Sequence, residues 1–231
     1  KIDVIKVVID GKTQIKTSLS FEWESLESLV SKVGWTSWVN WAYFCPKDYS
    51  SCWGINYTDR ARIYDFTQTN RLFSNNWMFW FDKDNKAVFA FNGQYSWIDN
   101  ESQIKYWLAN YPVLLLNWEN ILYQSQDLLD TKMLTSWTKS FICSKEDQKT
   151  VYMWSIWNLR VDEMPEYLKN NLGCYNALNL DSGGSLSMVY NHQTIKKAWR
   201  QIMDAFVVVE YDFDRNVVDK FLEKVYTRIL E

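Results

Sequence analysis

The sequence predicts a mixed α/β (α+β) fold, a single domain whose mixed sheet is flanked by helices. Three observations carry that expectation. Short apolar runs of strand length recur along the chain, segments with helical spacing stand between several of them, and no linker, repeat or low-complexity tract divides the 231 residues. A chain of this length, 47% hydrophobic and 23% charged, can bury one sizeable core.

Ile2 to Ile9 reads as a strand, closed by a turn at Asp10-Gly11 and followed by a second strand from Thr13 to Leu19. Glu22 to Val33 sets Leu26, Leu29, Val30 and Val33 on one face and stops at Gly34, which predicts a helix. Thr36 to Asn40 reads as a short strand feeding a polar loop that runs through Arg62. Met78 to Phe81 and Lys86 to Phe91 form a hairpin around Asp82-Lys83-Asp84-Asn85. Glu101 to Ala109 is expected to be helical, whereas Val113 to Leu116 and Val151 to Ile156 read as strands. Val161 to Leu172 reads as a helix ending at Gly173, and Tyr175 to Leu180, Ser187 to Tyr190 and Ala205 to Tyr211 as further strands. The expected division is a domain over residues 1–213 and a closing amphipathic helix over 214–231. That helix carries Val218, Phe221, Leu222, Val225 and Ile229 on one side, a stripe that packs on the core or joins two copies of the chain as a homo-oligomer.

Composition excludes several classes. A net charge of −3 with interspersed signs gives no field for nucleic acid and no polybasic patch for a membrane surface. The longest apolar runs, such as Val113 to Leu116 and Ala205 to Val209, fall far short of the roughly 18 residues of a spanning helix. The chain opens at Lys1 inside a strand-like run, as it would if an upstream segment had been removed. Four cysteines, Cys45, Cys52, Cys143 and Cys174, allow three pairings; bridges Cys45–Cys52 and Cys143–Cys174 would suit an exported protein. Zinc is not expected, because no C-x-x-C spacing exists and His192 is the only histidine. No other metal and no cofactor are implied.

The chemistry-bearing stretch is Asn176-Ala177-Leu178-Asn179-Leu180-Asp181-Ser182-Gly183-Gly184-Ser185-Leu186-Ser187-Met188-Val189. It sets an acid at the end of an apolar strand, then two glycines and a hydroxyl, then another strand. Successive backbone amides in such a turn can bind an anion, and the absent side chains admit a phosphate or a sugar. The bland alternative is a tight turn capped by Asp181. A serine hydrolase would need His192 to serve Ser185 or Ser187, but the histidine sits too close to both in a hairpin-like segment.

This stretch resembles the N-A-L-N-L-D-G-G-G-S-S-T-M-V signature of the phosphodiester glycosidase family. The likeness extends over most of the chain. Asn40 through Phe44 is similar to the family's N-G-G-F-F segment, Tyr111 to Asn117 to its P-x-L-L-x-N-G strand and turn, and Trp199-Arg200 to its late G-R. Ser182 stands where the family has its first glycine, and Lys139-Ser140 about where it has Arg-Thr; the lysine keeps the charge but lacks the planar two-pronged donor. The resemblance implies a phosphodiester glycosidase-like domain over 1–213 and a hydrolase that cleaves a sugar 1-phosphodiester of the N-acetylglucosamine type at the anomeric carbon. It implies exported, bacterial relatives, hence a secreted or cell-envelope protein acting on glycans or sugar phosphates.

The implied chemistry needs a carboxylate at the oxocarbenium-like carbon, with cations and backbone amides at the phosphate. Asp181 is the candidate nucleophile or base. Gly183, Gly184 and Ser185 would face the phosphate or sugar, with Asn40 and Asn179 as polar contacts. Arg62, Lys139 and Arg200 are candidate phosphate cations, each weighed against an ordinary surface ion pair. A partner acid is not evident; Asp59, Asp65 and Asp162 are the choices. The alternative is an inactive carbohydrate-binding or envelope-interaction module of the same fold that stacks sugars on its tryptophans.

The tryptophans themselves are anomalous. The chain has 14 Trp and 7 Gly, where ordinary usage of about 7% would give roughly 16 glycines. Trp41, Trp77 and Trp118 each follow an asparagine, as glycine does in Asn-Gly turns, and Trp38, Trp97 and Trp137 each follow serine. Trp199 stands at the glycine of the late G-R. These positions read as glycines written as tryptophan through a reassigned UGA codon, with Trp23 and Trp107, inside helix-like patterns, the weakest cases. Indoles at such positions would be exposed, or would sit at turns with positive φ.

Overall fold

The computed structural model describes residues 2–24, 37–40, 56–58, 61–64, 77–82, 84–91, 104–199 and 202–210. Strands dominate. In chain order they are β1 (Ile2–Val8), β2 (Thr13–Glu24), β3 (Ser37–Asn40), β4 (Asn56–Thr58), β5 (Ala61–Tyr64), β6 (Trp77–Asp82), β7 (Ala87–Phe91) and β8 (Ile104–Asn110). They continue as β9 (Val113–Leu116), β10 (Glu119–Asn120), β11 (Trp137–Ser144), β12 (Thr150–Leu159), β13 (Asn176–Leu180), β14 (Met188–Tyr190), β15 (Gln193–Lys196) and β16 (Ile202–Glu210). Helix α1 (Met164–Leu172) is the one α-helix among the described residues.

The strands form three sheets, ordered β1-β12-β11-β13-β9-β10, β15-β14-β3-β16-β2 and β5-β4-β8-β6-β7. Every pairing among the described residues is antiparallel. The molecule is therefore a sheet-rich single domain, which corrects the expected mixed sheet flanked by helices. The first sheet has a buried face on each side, so its central strand β13 is buried at every residue. Leu178 and Leu180 face a core shared with Ile15, Val39, Met188 and Phe206 of the second sheet and Phe81 and Phe89 of the third. Ala177 and Phe141 face the opposite way, into a core closed by Met164 and Leu168 of α1. Each of the larger of these side chains contributes about 1.5–3 kcal/mol on burial.

Helix α1 forms where its signals predict. Pro165 occupies the first turn, where no backbone donor is needed, and Gly173 ends the helix at φ 62°. Its amide donates to Lys169 O at 3.1 Å and the Cys174 amide to Leu168 O at 3.2 Å. Cys174 is bonded to Cys143 of β11, which ties the end of the helix to the sheet. Cys45 and Cys52 lie outside the described residues.

Three expectations are corrected. Glu22, read as the start of a helix, belongs to β2, because pairing with β16 extends the ladder to Glu24 opposite Ile202; the rest of the expected helix, 25–33, lies outside the described residues. The helix expected over Glu101 to Ala109 is strand β8, central in the third sheet between β4 and β6, where ladder pairing overrides the helical spacing. Arg62 lies not in a polar loop but in β5, opposite Tyr57. The hairpin β6–β7 and strands β9, β12, β13, β14 and β16 form about where expected. The closing helix expected over 214–231 lies outside the described residues.

Candidate active site

The turn from Asp181 to Ser187 carries the chain from β13 in the first sheet to β14 in the second, and both sheets grip it. From the first sheet, Ser140 stands opposite Leu180 in the β11–β13 register. Its hydroxyl donates to the carbonyl of Asp181 at 2.5 Å, and its amide donates to the Ser182 hydroxyl at 3.0 Å. The Ser182 hydroxyl in turn donates to Leu180 O at 3.1 Å. From the second sheet, Asn40 at the end of β3 reaches both ends of the turn. Its Nδ2 donates to the Asp181 carbonyl at 3.4 Å, and its Oδ1 accepts from the Ser187 amide at 2.8 Å. The Asn40 amide adds a bond to Ser187 O at 3.2 Å.

Asp181 is 7% exposed, and its Oδ1 accepts from the Ser182 amide at 2.8 Å. The backbone then turns outward at Gly183, which is exposed at φ 66° with open space where a Cβ would lie. Leu186 N donates to Gly183 O at 3.2 Å, closing a single 3-10 turn over Gly183–Ser185. Ser185 is fully buried, and its hydroxyl has no hydrogen-bond partner among the described residues. An acid, a side-chain-free backbone bend and a spare hydroxyl thus stand within five residues of one another, on a turn fixed from two sides.

The other candidates are placed as follows. Asn179 is buried on β13 opposite Phe141, and its amide donates to Pro112 O at 3.0 Å. Lys139 is buried at the start of β11, one residue before the Ser140 clamp, and its Nζ donates to Lys132 O at 2.8 Å. Burial holds its ammonium below the ordinary lysine value, and Asp130 opposes that shift. Arg62 is placed on β5 by backbone register alone, and Arg200 lies outside the described residues. Of the partner-acid choices, Asp162 pairs with Arg160 at 2.6 and 2.9 Å on the surface, and Asp59 and Asp65 lie outside the described residues. His192 sits exposed at the tip of the β14–β15 hairpin at φ 62°, while the Ser187 hydroxyl donates to Lys196 O at 3.3 Å. Neither serine is served by the histidine in the way a hydrolase triad requires.

Ser140 is the residue whose part the sequence did not reveal. It was legible only as the second member of Lys139-Ser140, because the strand that carries it, β11, lacks a clean alternation: its burial runs unbroken from Lys139 to Ser144.

The phosphodiester glycosidase family model matches residues 39–209, a span that takes in the turn and both clamps. No curated protein matches the chain by sequence. Among solved structures, the catalytic domain of zebrafish N-acetylglucosamine-1-phosphodiester alpha-N-acetylglucosaminidase, auto-inhibited by its pro-peptide, superposes with a TM-score of 0.70 at 14% identity, covering 90% of this chain and 82% of that one. A protein of Burkholderia pseudomallei named as exported gives 0.58 at 10% identity, with 89% and 73% covered. A hypothetical protein from Synechocystis gives 0.56 at 11% identity, with 89% and 58% covered. At these identities the structures share the fold, while the family model spans well over half of the sequence. The chain belongs to the phosphodiester glycosidase family.

Proposed function

We propose that this protein is a hydrolase that cleaves a sugar 1-phosphodiester, of the N-acetylglucosamine-1-phosphodiester type, at the anomeric carbon. The observation that carries the reading is the placement of Asp181, a buried carboxylate on a turn braced by two sheets beside an exposed glycine bend and a spare buried hydroxyl. The leaving group is a phosphate monoester, which departs with less help from a proton than a sugar alcohol does, so the demand falls on the anomeric carbon. Asp181 meets that demand as nucleophile or as base toward water. The Ser182 amide, donating to Oδ1 at 2.8 Å, fixes the orientation of the carboxylate for either role.

The phosphate would lie over Gly183, where a missing side chain leaves open space, with the backbone of Gly184 and Ser185 next to it in the turn. Arg62, Lys139 and Arg200 are the proposed cations. The two arginines keep their charge at any working pH, whereas Lys139 is held closer to neutrality by burial. Asn40 and Asn179 complete the polar wall, Asn40 chiefly by holding the turn in place. A secreted or cell-envelope setting fits this reading: the Cys143–Cys174 bridge belongs to an oxidising compartment. No helix among the described residues is long and apolar enough to cross a membrane.

Incubation with a panel of sugar 1-phosphodiesters, read as release of free sugar, tests the proposal. Turnover of at least one N-acetylhexosamine diester is expected. A module that only stacks sugars would bind panel members and turn over none, and that outcome would replace the hydrolase with the binding reading.

A further inference from the structure

We propose that Trp118, Trp137, Trp157 and Trp199 are glycines in the natural protein, encoded by UGA codons that its organism reads as glycine and that have been written here as tryptophan. The inference rests on turn geometry and burial, not on the proposed activity. Tryptophan is a large apolar residue that is highly buried on average. Here each tryptophan whose side chain is described is exposed: Trp118 by 36%, Trp137 by 58%, Trp157 by 44% and Trp199 by 89%. Each phenylalanine whose side chain is described, Phe81, Phe89, Phe141 and Phe206, is buried. One aromatic obeys the physics of the core and the other defies it, so the defect belongs to the residue type and not to the fold.

Backbone conformation points the same way. Asn117 and Trp118 join β9 to β10 with φ of 51° and 70°. Two successive positive φ values define the type I′ hairpin turn, for which Asn-Gly is the favoured pair, and a residue bearing a Cβ is strained at the second position. The register shift between β11 and β12 falls between the pairs Trp137–Leu159 and Lys139–Ile156, so Trp137 borders it and Trp157 lies within it. Asn158, next to Trp157, has φ of 57°. Such bulges are habitual places for glycine in a strand. Trp199 donates its amide to Gly184 O at 2.9 Å, at the rim of the candidate site. A glycine there would leave that backbone hydrogen bond intact and remove an indole that is almost wholly exposed.

One codon unifies these positions. UGA is a stop signal in the standard code, tryptophan in some reassigned codes and glycine in others. A chain translated with the second meaning in place of the third would keep its glycines from ordinary codons, lose the rest, and gain a tryptophan at each loss. That accounts together for the excess of one residue and the deficit of the other.

Two measurements test it. Tandem mass spectrometry of tryptic peptides from the native protein should read glycine at position 137 in the peptide Met133–Lys139, and at position 118 in the longer peptide that ends at Lys132. In the recombinant chain, Trp118→Gly should raise Tm by about 2–4 °C, the shift expected when roughly 1 kcal/mol of left-handed strain is relieved in a domain of this size. An indole at these positions in the native peptides, or a Tm lowered by Trp118→Gly, overturns the inference.

Discussion

Asp181 has one carboxylate oxygen held by the next amide while its main-chain carbonyl receives both clamps, so the backbone is fixed independently of the charge. Replacing Asp181 by Asn keeps the volume and an acceptor for the Ser182 amide but removes the charge. Turnover should fall by about 10²–10⁴-fold, the span that a positioned acid or base supplies. Tm should stay within about 2 °C, because under 1 kcal/mol is at stake in a domain of this size. Activity within a few fold of the parent would remove Asp181 from the mechanism. Lys139 makes a prediction about pH. Its folded pKa is lowered by burial, so the unfolded chain binds more protons in the window between that lowered value and the ordinary lysine value. Stability from this residue is therefore fully present above the ordinary lysine value and is lost as pH falls through the folded one. Urea midpoints should show a rise across the alkaline window for the parent that is smaller in Lys139→Met; an unchanged profile in the variant would mean that Lys139 is not the group responsible.

The elements that matter most are β11, β13 and β3, since they supply the two clamps and the acid. Removing the Asn40 side chain should act on both sheets at once. Asn40→Ala leaves the buried Ser187 amide without its side-chain acceptor, which costs about 1–3 kcal/mol, and a loosened turn should cost up to about a hundredfold in kcat. Urea unfolding and steady-state rates on the same preparation check both. The bridge between β11 and the end of α1 closes a loop with a sequence separation of 31. The double variant Cys143→Ala, Cys174→Ala should lose about 2–4 kcal/mol in urea unfolding. A loss near zero would mean that the bridge adds nothing to the packing of the helix on the sheet. At this scale the sequence is readable where one residue type carries a local signal: Gly173 after an apolar helical stripe marks the end of α1, and the acid stands directly after the apolar strand β13, which ends at Leu180. It is unreadable where pairing partners decide. Strand β8 has helix-compatible spacing and becomes a strand because β4 and β6 flank it, and β11 shows no alternation because both of its faces are covered.

Over the whole molecule, three antiparallel sheets share one core, and the chain uses the passage from the first sheet to the second to hold its acid. That arrangement explains why the site signature is compact in sequence although its supports are not: Asn40 lies 141 residues before Asp181, and Ser140 lies 41 before it. Turn motifs are visible from one stretch of residues, whereas the partners that brace them are brought in only by the fold. In the proposed reaction this braced carboxylate works at the anomeric carbon and not at phosphorus. Hydrolysis of an N-acetylglucosamine 1-phosphodiester in water enriched in heavy oxygen, followed by mass spectrometry of both products, distinguishes the two sites of attack. With attack at the anomeric carbon, the label is expected in the released sugar, with unlabelled phosphate monoester. Label in the phosphate would contradict it, because water would then have attacked phosphorus and the enzyme would be a phosphodiesterase.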